Sequence, residues 1–129
     1  MIERNYHYDM PKIAPDNASE IVIQASCIKR IEGQFKARMV AVPNGTYIAS
    51  RAGRGRANRE GRSKGFPDCL IIGYGPNSGK IAFAELKARS NLEASQDAWL
   101  TTLVMSGFDA GVFRSQDTLA SFLADRGWK

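Results

Sequence analysis

Two acids and a lysine border two apolar runs near the middle of the chain. Asp68 precedes the first run, and Glu85 and Lys87 lie at the end of the second. The runs, Cys69 to Tyr74 and Lys80 to Leu86, are rich in Ile, Phe and small apolar residues, a composition typical of strands. The sequence Gly-Pro-Asn-Ser-Gly between them is typical of a turn. The stretch therefore predicts a β-hairpin with ionisable residues at its open end.

The symmetry of this hairpin predicts which residues face one another. If the turn is centred on Pro76-Asn77, Asp68 falls opposite Glu85, and strand alternation puts Lys87 on the same face as Glu85. Directly opposed Cβ atoms lie about 4.5–5.5 Å apart, so the two carboxylates could share one divalent cation. An acid pair and a lysine on one face predict phosphodiester hydrolysis.

Length and composition restrict the class of protein. With 129 residues and 43% hydrophobic residues, the chain is expected to form one soluble globular domain. No apolar run approaches the roughly 18 residues of a membrane span, and the N-terminus lacks a signal-peptide pattern, so we expect a cytoplasmic protein without a membrane partner. Cys27 and Cys69 show neither disulfide-framework nor zinc-ligand spacing and are predicted to be reduced core residues.

The net charge of +5 is concentrated in one Gly-rich segment. Between residues 51 and 64 six basic residues accompany one acid, Glu60, so the rest of the chain sums to zero. This pattern favours a polyanionic partner, although a solvated surface loop remains an alternative. Membrane binding is disfavoured because the segment has no apolar face. The basic residues predicted to contact DNA are Arg51, Arg54, Arg56, Arg59, Arg62 and Lys64.

The flanking sequence predicts the elements that position these residues. Residues 1–16 are expected to form an extended arm carrying a solvated His7, and residues 17–129 a single domain. Asn17 and Glu20 fit a capping box that starts a first helix, which Gly33 ends. A strand from 35 to 42, a mobile basic loop and the hairpin follow.

A second helix is predicted after Ser95, closed by Gly107, and then a strand from 110 to 113 and a last helix capped by Ser115. Two polar residues in these helices have simple structural explanations. Glu20 in a first turn is favoured by the helix dipole, and Gln96 in the next helix could be a capping or solvated side chain.

The complete set of motifs resembles the virus-type replication-repair nuclease (VRR-NUC) domain of the PD-(D/E)xK nuclease superfamily. The resemblance covers roughly residues 20–113. It rests on the following motifs: Glu20 with Gln24, Asn44-Gly45, Gly65-x-Pro67-Asp68, Glu85-x-Lys87 and Gln96. It implies an α/β fold with the restriction-endonuclease-like core: a mixed sheet of about four strands flanked by helices, in the order α-β-β-β-α-β-α.

The resemblance also implies a site and a reaction. In the family the acids matching Glu20, Asp68 and Glu85 bind Mg²⁺ or Mn²⁺ with the main-chain carbonyl of the residue matching Leu86. The lysine matching Lys87 acts at the attacking water. The glutamine matching Gln96 supports the site. Glu20 is accordingly expected to be a ligand as well as a helix-start residue, and no small-molecule cofactor is expected.

The expected activity is a metal-dependent, structure-specific DNA endonuclease. Stand-alone phage members of the family resemble Holliday-junction resolvases, so the resemblance implies a homodimer acting on four-way junctions, in the host cytoplasm if the protein is phage-encoded. A nicking or flap-type nuclease is the alternative within this class. A non-catalytic DNA-binding accessory protein and a neutral α/β scaffold, whose acids form ion pairs, are the alternatives outside it.

Overall fold

The computed structural model describes residues 3–43 and 64–129. These residues contain five strands and three α-helices, with short 3₁₀ turns at Pro11–Ile13 and Gly75–Asn77. In chain order the elements are β1 (His7–Tyr8), α1 (Glu20–Gln34), β2 (Ala37–Ala41), β3 (Cys69–Gly73), β4 (Ile81–Leu86), α2 (Ala94–Met105), β5 (Asp109–Phe113) and α3 (Gln116–Asp125). The predicted helix and strand order from residue 17 onward is confirmed.

The five strands form one mixed sheet in the order β1-β5-β4-β3-β2. Strands β2, β3 and β4 are antiparallel neighbours, whereas β4 pairs with β5, and β5 with β1, in parallel. The antiparallel β3–β4 pair follows from a short connection, and the parallel β4–β5 pair requires a crossover, which helix α2 supplies. The mixed α/β sheet is as predicted, with one strand more than the four expected.

The register of the β3–β4 hairpin agrees with the prediction from turn symmetry. Cys69 pairs with Ala84 and Leu70 with Phe83. Asp68 and Glu85 are the next residues beyond the last pair at the open end of the hairpin. The turn at the closed end is a 3₁₀ turn whose Asn77 is fully buried.

The sheet separates two apolar cores. One contains Ile23, Cys27 and Ile31 of α1, residues of α3, and the odd-numbered side chains of β3. The other contains Leu100 and Leu103 of α2 with the opposite faces of β4 and β5. Because side chains alternate along a strand, Asp68, Glu85 and Lys87 continue the α2 face of the sheet.

The start of α1 differs from the prediction. Ser19, not Asn17, is the cap, and its hydroxyl accepts a hydrogen bond from the amide of Val22 at 3.3 Å. Asn17 instead adopts a left-handed conformation with φ of 62°, which Asn tolerates better than most residues. Glu20 is therefore the first helical residue rather than the third, so no capping box forms. The helix also continues past Gly33 to Gln34.

The N-terminal segment is part of the sheet rather than a separate arm. Strand β1 pairs with Gly111 and Val112 of β5, and Tyr6 is buried in the α2-side core. Gly111 permits this approach, since a Cβ there would lie 2.8 Å from the Cβ and carbonyl oxygen of His7. His7 is consequently not a solvated arm residue.

The ring of His7 stacks on Phe113 at 5.0 Å, and its Nε2 lies 2.7 Å from Asp9 Oδ1. These tertiary contacts are invisible to local sequence patterns.

The remaining structural predictions concern the two cysteines, membrane-spanning segments and the basic loop. Cys27 and Cys69 are free and fully buried, and burial raises the pKa of each thiol to about 12. Neither thiol is reactive at neutral pH, as expected for core residues. In the described part of the chain, no helix combines the length and apolarity that crossing a membrane requires. The predicted mobile basic loop lies outside the described residues except for Lys64.

Candidate active site

Asp68 is fixed at the entrance to β3 by its main chain and its side chain. Its carbonyl accepts a hydrogen bond from the amide of Val42 at 2.7 Å. Its Oδ2 accepts one from the amide of Leu86 at 3.0 Å. The carboxylate is therefore tied directly to the end of β4, where Glu85 lies, and only part of the residue remains exposed.

Glu85 is a buried acid with incomplete hydrogen bonding. The residue is 2% exposed. Its Oε2 accepts a hydrogen bond from Gln96 Nε2 at 3.2 Å. Its Oε1 is buried and has no hydrogen-bond partner among the described residues. Leaving a buried acceptor without a partner costs about 1–3 kcal/mol, more when it is charged, so this oxygen requires an explanation.

The electrostatic surroundings of Glu85 favour its protonated form. Burial is the largest cause and, together with the charge of Asp68, raises the pKa of Glu85 to about 9. The Asp68 carboxyl lies within hydrogen-bonding reach, and such a bond needs a proton on one of the two groups, which raises the pKa further. Lys87 opposes the shift. With both acids ionised, neither has a proton to donate, and Oε1 is left without a partner.

Gln96 performs two tasks with one side chain. Its Oε1 accepts a hydrogen bond from the main-chain amide of Glu93 at 2.9 Å. The Glu93 carboxylate in turn accepts a hydrogen bond from the main-chain amide of Gln96, which completes a capping box. Its Nε2 donates to Glu85. Gln96 is therefore a capping residue that also contacts Glu85. Glu93 was not singled out from the sequence, although a Glu followed three residues later by Gln is a recognisable capping pattern.

Lys87 places a buried positive charge next to the acid pair. The residue is 7% exposed, and its amide donates to the carbonyl of Phe113 at 3.1 Å. Lysine is seldom this buried unless its charge is compensated. The charge of Lys87 lowers the pKa of Glu85, which shows that the two groups interact.

The approach to Asp68 is held against helix α2 by a close backbone contact. Gly65 has φ of 87°, and a Cβ on it would lie 2.5 Å from the main-chain carbon of Ser95. Only glycine fits there without movement. This contact joins the segment leading to Asp68 with the first turn of α2, which carries Gln96.

Glu20 lies near the pair but does not join it as a third close carboxylate. It is the exposed first residue of α1, and its charge makes the smallest contribution to the raised pKa of Glu85. Within residues 3–43 and 64–129, no three His, Cys, Asp or Glu side chains are grouped closely enough to hold a metal ion. The structure brings together Asp68, Glu85, Leu86, Lys87 and Gln96.

The donor set of the pair nevertheless suits a hard divalent cation. The carboxylates of Asp68 and Glu85 lie side by side, and Glu85 Oε1 lacks a hydrogen-bond partner among the described residues. A positive charge would relieve the repulsion between the two carboxylates. Mg²⁺ and Mn²⁺ take oxygen ligands, and one or two carboxylates with waters are enough to hold Mg²⁺ beside a phosphate. The residues present therefore fit such an ion.

The described part of the predicted DNA-binding surface is small. Lys64 is exposed close to Gly65, and Arg51, Arg54, Arg56, Arg59 and Arg62 lie outside the described residues. Lys36 and Arg38 are exposed on the β2 side, where Arg38 Nε lies 3.5 Å from Glu32 Oε2.

Comparison with known proteins identifies the fold. No protein-family model and no curated protein matches the chain. A solved structure described as "VRR_NUC domain protein" is similar over 83% of this chain and 86% of the other, with a TM-score of 0.62 and 19% sequence identity. The chain thus has a VRR-NUC-like fold, which confirms the fold that the motif resemblance implied. An identity this low establishes the fold alone.

Proposed function

We propose that this protein is a metal-dependent endonuclease that hydrolyses phosphodiester bonds in DNA. The observation that carries the proposal is the pair of half-buried Asp68 and buried Glu85, in which Glu85 Oε1 has no hydrogen-bond partner among the described residues. A structural ion pair would satisfy that oxygen, and a protein that only binds DNA gains nothing from placing buried acids near phosphates. A cation-binding site accounts both for the close pair of acids and for the Glu85 oxygen that has no partner among the described residues.

The metal would be held by Asp68, Glu85 and the main-chain carbonyl of Leu86, with Glu20 as a further ligand implied by the family resemblance. When bound, Mg²⁺ or Mn²⁺ polarises a phosphate and lowers the pKa of a bound water. The Leu86 amide and the Gln96 amide group orient the two carboxylates from outside the metal site. Such partners restrict the carboxylate rotamers and thereby pre-form the site.

Lys87 supplies the positive charge that the reaction needs on the protein side. Its ammonium group lies in a buried setting next to the pair, where electrostatic interactions are stronger than in water. From this position the ammonium group can orient the attacking water or stabilise negative charge that develops on the phosphorane. Deprotonation of the water would instead need Lys87 as the neutral amine. Gln96 maintains Glu85 in place during the reaction because its own position is fixed by the cap of α2.

The preferred substrate is branched DNA, and the family resemblance indicates a four-way junction. The basic residues from Arg51 to Lys64 would contact phosphates, which position DNA without reading its sequence. A nicking or flap-type nuclease remains the second candidate within this class. The favoured assembly is a homodimer, since a junction has two symmetric cutting positions.

Cleavage of defined DNA substrates tests the proposal. The protein is incubated with a labelled four-way junction, a flap, duplex DNA and single-stranded DNA, with Mg²⁺ or with EDTA. We expect Mg²⁺-dependent cleavage that Asp68→Asn reduces by at least about 100-fold, because the substitution weakens both metal binding and the pair. Asp125→Asn, which alters an exposed acid on α3, is the matched control and is expected to retain activity.

The outcomes separate the candidates. Paired symmetric nicks on the junction support a resolvase, and cutting confined to the flap supports the second candidate. Absence of metal-dependent cleavage on every substrate would leave the DNA-binding accessory protein and the neutral scaffold as alternatives. For the dimer, light scattering at micromolar concentration is expected to give twice the chain mass, and a monomer mass would remove two-site cutting by a preformed dimer.

A further inference from the structure

Arg114 is a fully buried arginine directly after β5. It is 0% exposed, and every guanidinium nitrogen donates at least one hydrogen bond. Nε donates to the carbonyl of Asp9 at 2.7 Å, and Nη2 donates to the hydroxyl of Tyr8 at 3.1 Å. Nη1 donates to the carbonyls of Ala88 and Ser90, both at 2.9 Å. Burying an arginine is costly, and these hydrogen bonds offset part of the cost.

The network around Arg114 also contains a buried acid of the N-terminal segment. Asp9 is 5% exposed, and its Oδ2 accepts hydrogen bonds from the Arg114 amide at 2.9 Å and from Thr118 Oγ1 at 2.5 Å. His7 contacts the other oxygen. The acid and the arginine therefore form one buried network that joins β1, the end of β5 and the first turn of α3.

The two carbonyls held by Nη1 belong to the connection that leaves the candidate active site. Ala88 follows Lys87 directly, and Ser90 lies between Lys87 and the first turn of α2, which carries Gln96. The Lys87 amide is bound to Phe113, the residue before Arg114. One short stretch of the chain thus fixes the backbone of Lys87 and the two carbonyls that follow it.

We propose that Arg114 is a positioning residue for the active site, which keeps Lys87 and Gln96 in place relative to Glu85. This inference rests on the proposed nuclease function. Arg114 lies outside the acid pair and acts through the Ala88–Ser90 segment. Asp9 and Tyr8 orient the guanidinium, so the N-terminal strand acts on the reaction without touching the substrate.

Arginine is required at this position because of its shape. Its planar guanidinium presents donors in fixed directions and reaches four acceptors on two separate segments at once. A lysine keeps the positive charge but has three donors on one nitrogen and cannot serve both segments. Arg114→Lys therefore separates charge from positioning.

The test compares Arg114→Lys with Asn77→Ser. Asn77 is also fully buried, and its side chain binds Lys36 and Lys129 at the closed end of the β3–β4 hairpin, away from the acid pair. Single-turnover cleavage of one DNA substrate is measured for each protein at the same interval below its own Tm, and DNA affinity is measured in EDTA. We expect a rate loss of about 10- to 100-fold for Arg114→Lys at unchanged affinity, because small displacements of reacting groups are costly. Asn77→Ser is expected to retain the rate.

Amide hydrogen exchange gives a readout that does not depend on activity. Peptides covering residues 86–92 are expected to exchange faster in Arg114→Lys, and in Tyr8→Phe to a smaller extent, but not in Asn77→Ser. Unchanged exchange there, or equal rate losses in the Arg114 and Asn77 variants, would overturn the positioning role. If Arg114→Lys does not fold, Tyr8→Phe is judged by the same two criteria. A wild-type protein that fails to cleave DNA sinks the proposed function, whereas the exchange result still decides whether Arg114 holds this segment.

Discussion

At the scale of single residues, the site is defined by one oxygen atom. Glu85 Oε1 is buried beside a second carboxylate, whereas Oε2 is bound to Gln96. The folded chain can relieve this arrangement by binding a proton or a cation. Both compete for the same place, so metal affinity is expected to rise with pH.

The raised pKa of Glu85 predicts how stability depends on pH. The folded state retains the proton up to about pH 9, whereas the unfolded state releases it near pH 4.5. Between these values the folded state binds more protons, so the contribution of Glu85 to stability falls as pH rises. Glu85→Gln should therefore be more stable than the wild type in EDTA at pH 8, and nearly equal to it at pH 4.

Urea unfolding at pH 4, 6 and 8 measures this difference, with the exposed Glu3→Gln as control. Mg²⁺ is expected to stabilise the wild type at pH 8 and to have little effect on Glu85→Gln. A stability difference that is the same at all three pH values would contradict the raised pKa.

The sequence was sufficient to bring Asp68 and Glu85 together but not to describe the pair. Their adjacency follows from turn symmetry, because the register of a short hairpin is fixed by its loop. The bond from the Leu86 amide to Asp68 depends on the side-chain rotamer of Asp68, and the bond from Gln96 to Glu85 depends on how α2 packs on the sheet. Helix packing angles are set by side chains far apart in sequence, so these contacts could not be predicted.

At the scale of elements, the site depends on the closeness of β3 and α2. Gly65 allows the chain entering β3 to touch the backbone of Ser95. The Asp68 side of the site is thereby fixed to the helix that carries Gln96. Two separate elements act as one rigid support at this point.

Substitution of Gly65 tests this contact, and Gly79 offers a matched control. Both have nearly the same positive φ, 87° and 86°, but a Cβ at Gly79 meets nothing within 4 Å. The backbone strain of alanine, about 1–2 kcal/mol, should be shared by both variants. Gly65→Ala is expected to lose at least about 1 kcal/mol more, measured by urea unfolding, because Ser95 must move. Equal losses would show that the contact is not tight.

Local sequence identified the elements more securely than their ends. Ser115 and Gly107 were predicted correctly as helix boundaries because each had no nearby competitor. At α1 two good capping residues lie two positions apart, and tertiary packing selected Ser19. A shift of two residues moves Glu20 from the third helical position to the first, which changes its relation to the acid pair.

At the scale of the whole molecule, the charge distribution predicts how the protein binds DNA. Six basic residues between 51 and 64 carry the entire net charge. Replacing Arg54, Arg56 and Arg59 with Ala is expected to weaken binding and to lower the slope of log affinity against log salt by about 2–3, since each phosphate contact releases counterions. Fluorescence anisotropy at several salt concentrations measures this slope. Replacing Lys12 and Lys29, on other elements, is the control, and an unchanged slope in the triple variant would assign the segment another role.

The architecture was predictable from residue 17 onward, and the N-terminal segment was not. Two residues of strand, His7 and Tyr8, are too short for a periodic pattern, and their partners lie more than 100 positions away. The contact between Asp9 and Arg114 spans a similar sequence separation, so local sequence did not predict it. Buried charges that pair across the whole sequence leave no local signal, because each residue alone resembles a solvated one.

The pairing of β1 with β5 has a consequence for how the protein reaches its native state. The outermost strand is made first but cannot pair until residues 111 and 112 have been synthesised. Contacts of such large sequence separation form slowly, because the chain loses loop-closure entropy before the contacts stabilise it. On the ribosome, β1 must therefore wait until β5 has been synthesised. We expect the backbone around Lys87 to become ordered only after this pairing, so a nascent chain that already contains both acids would not yet hold Lys87 in place.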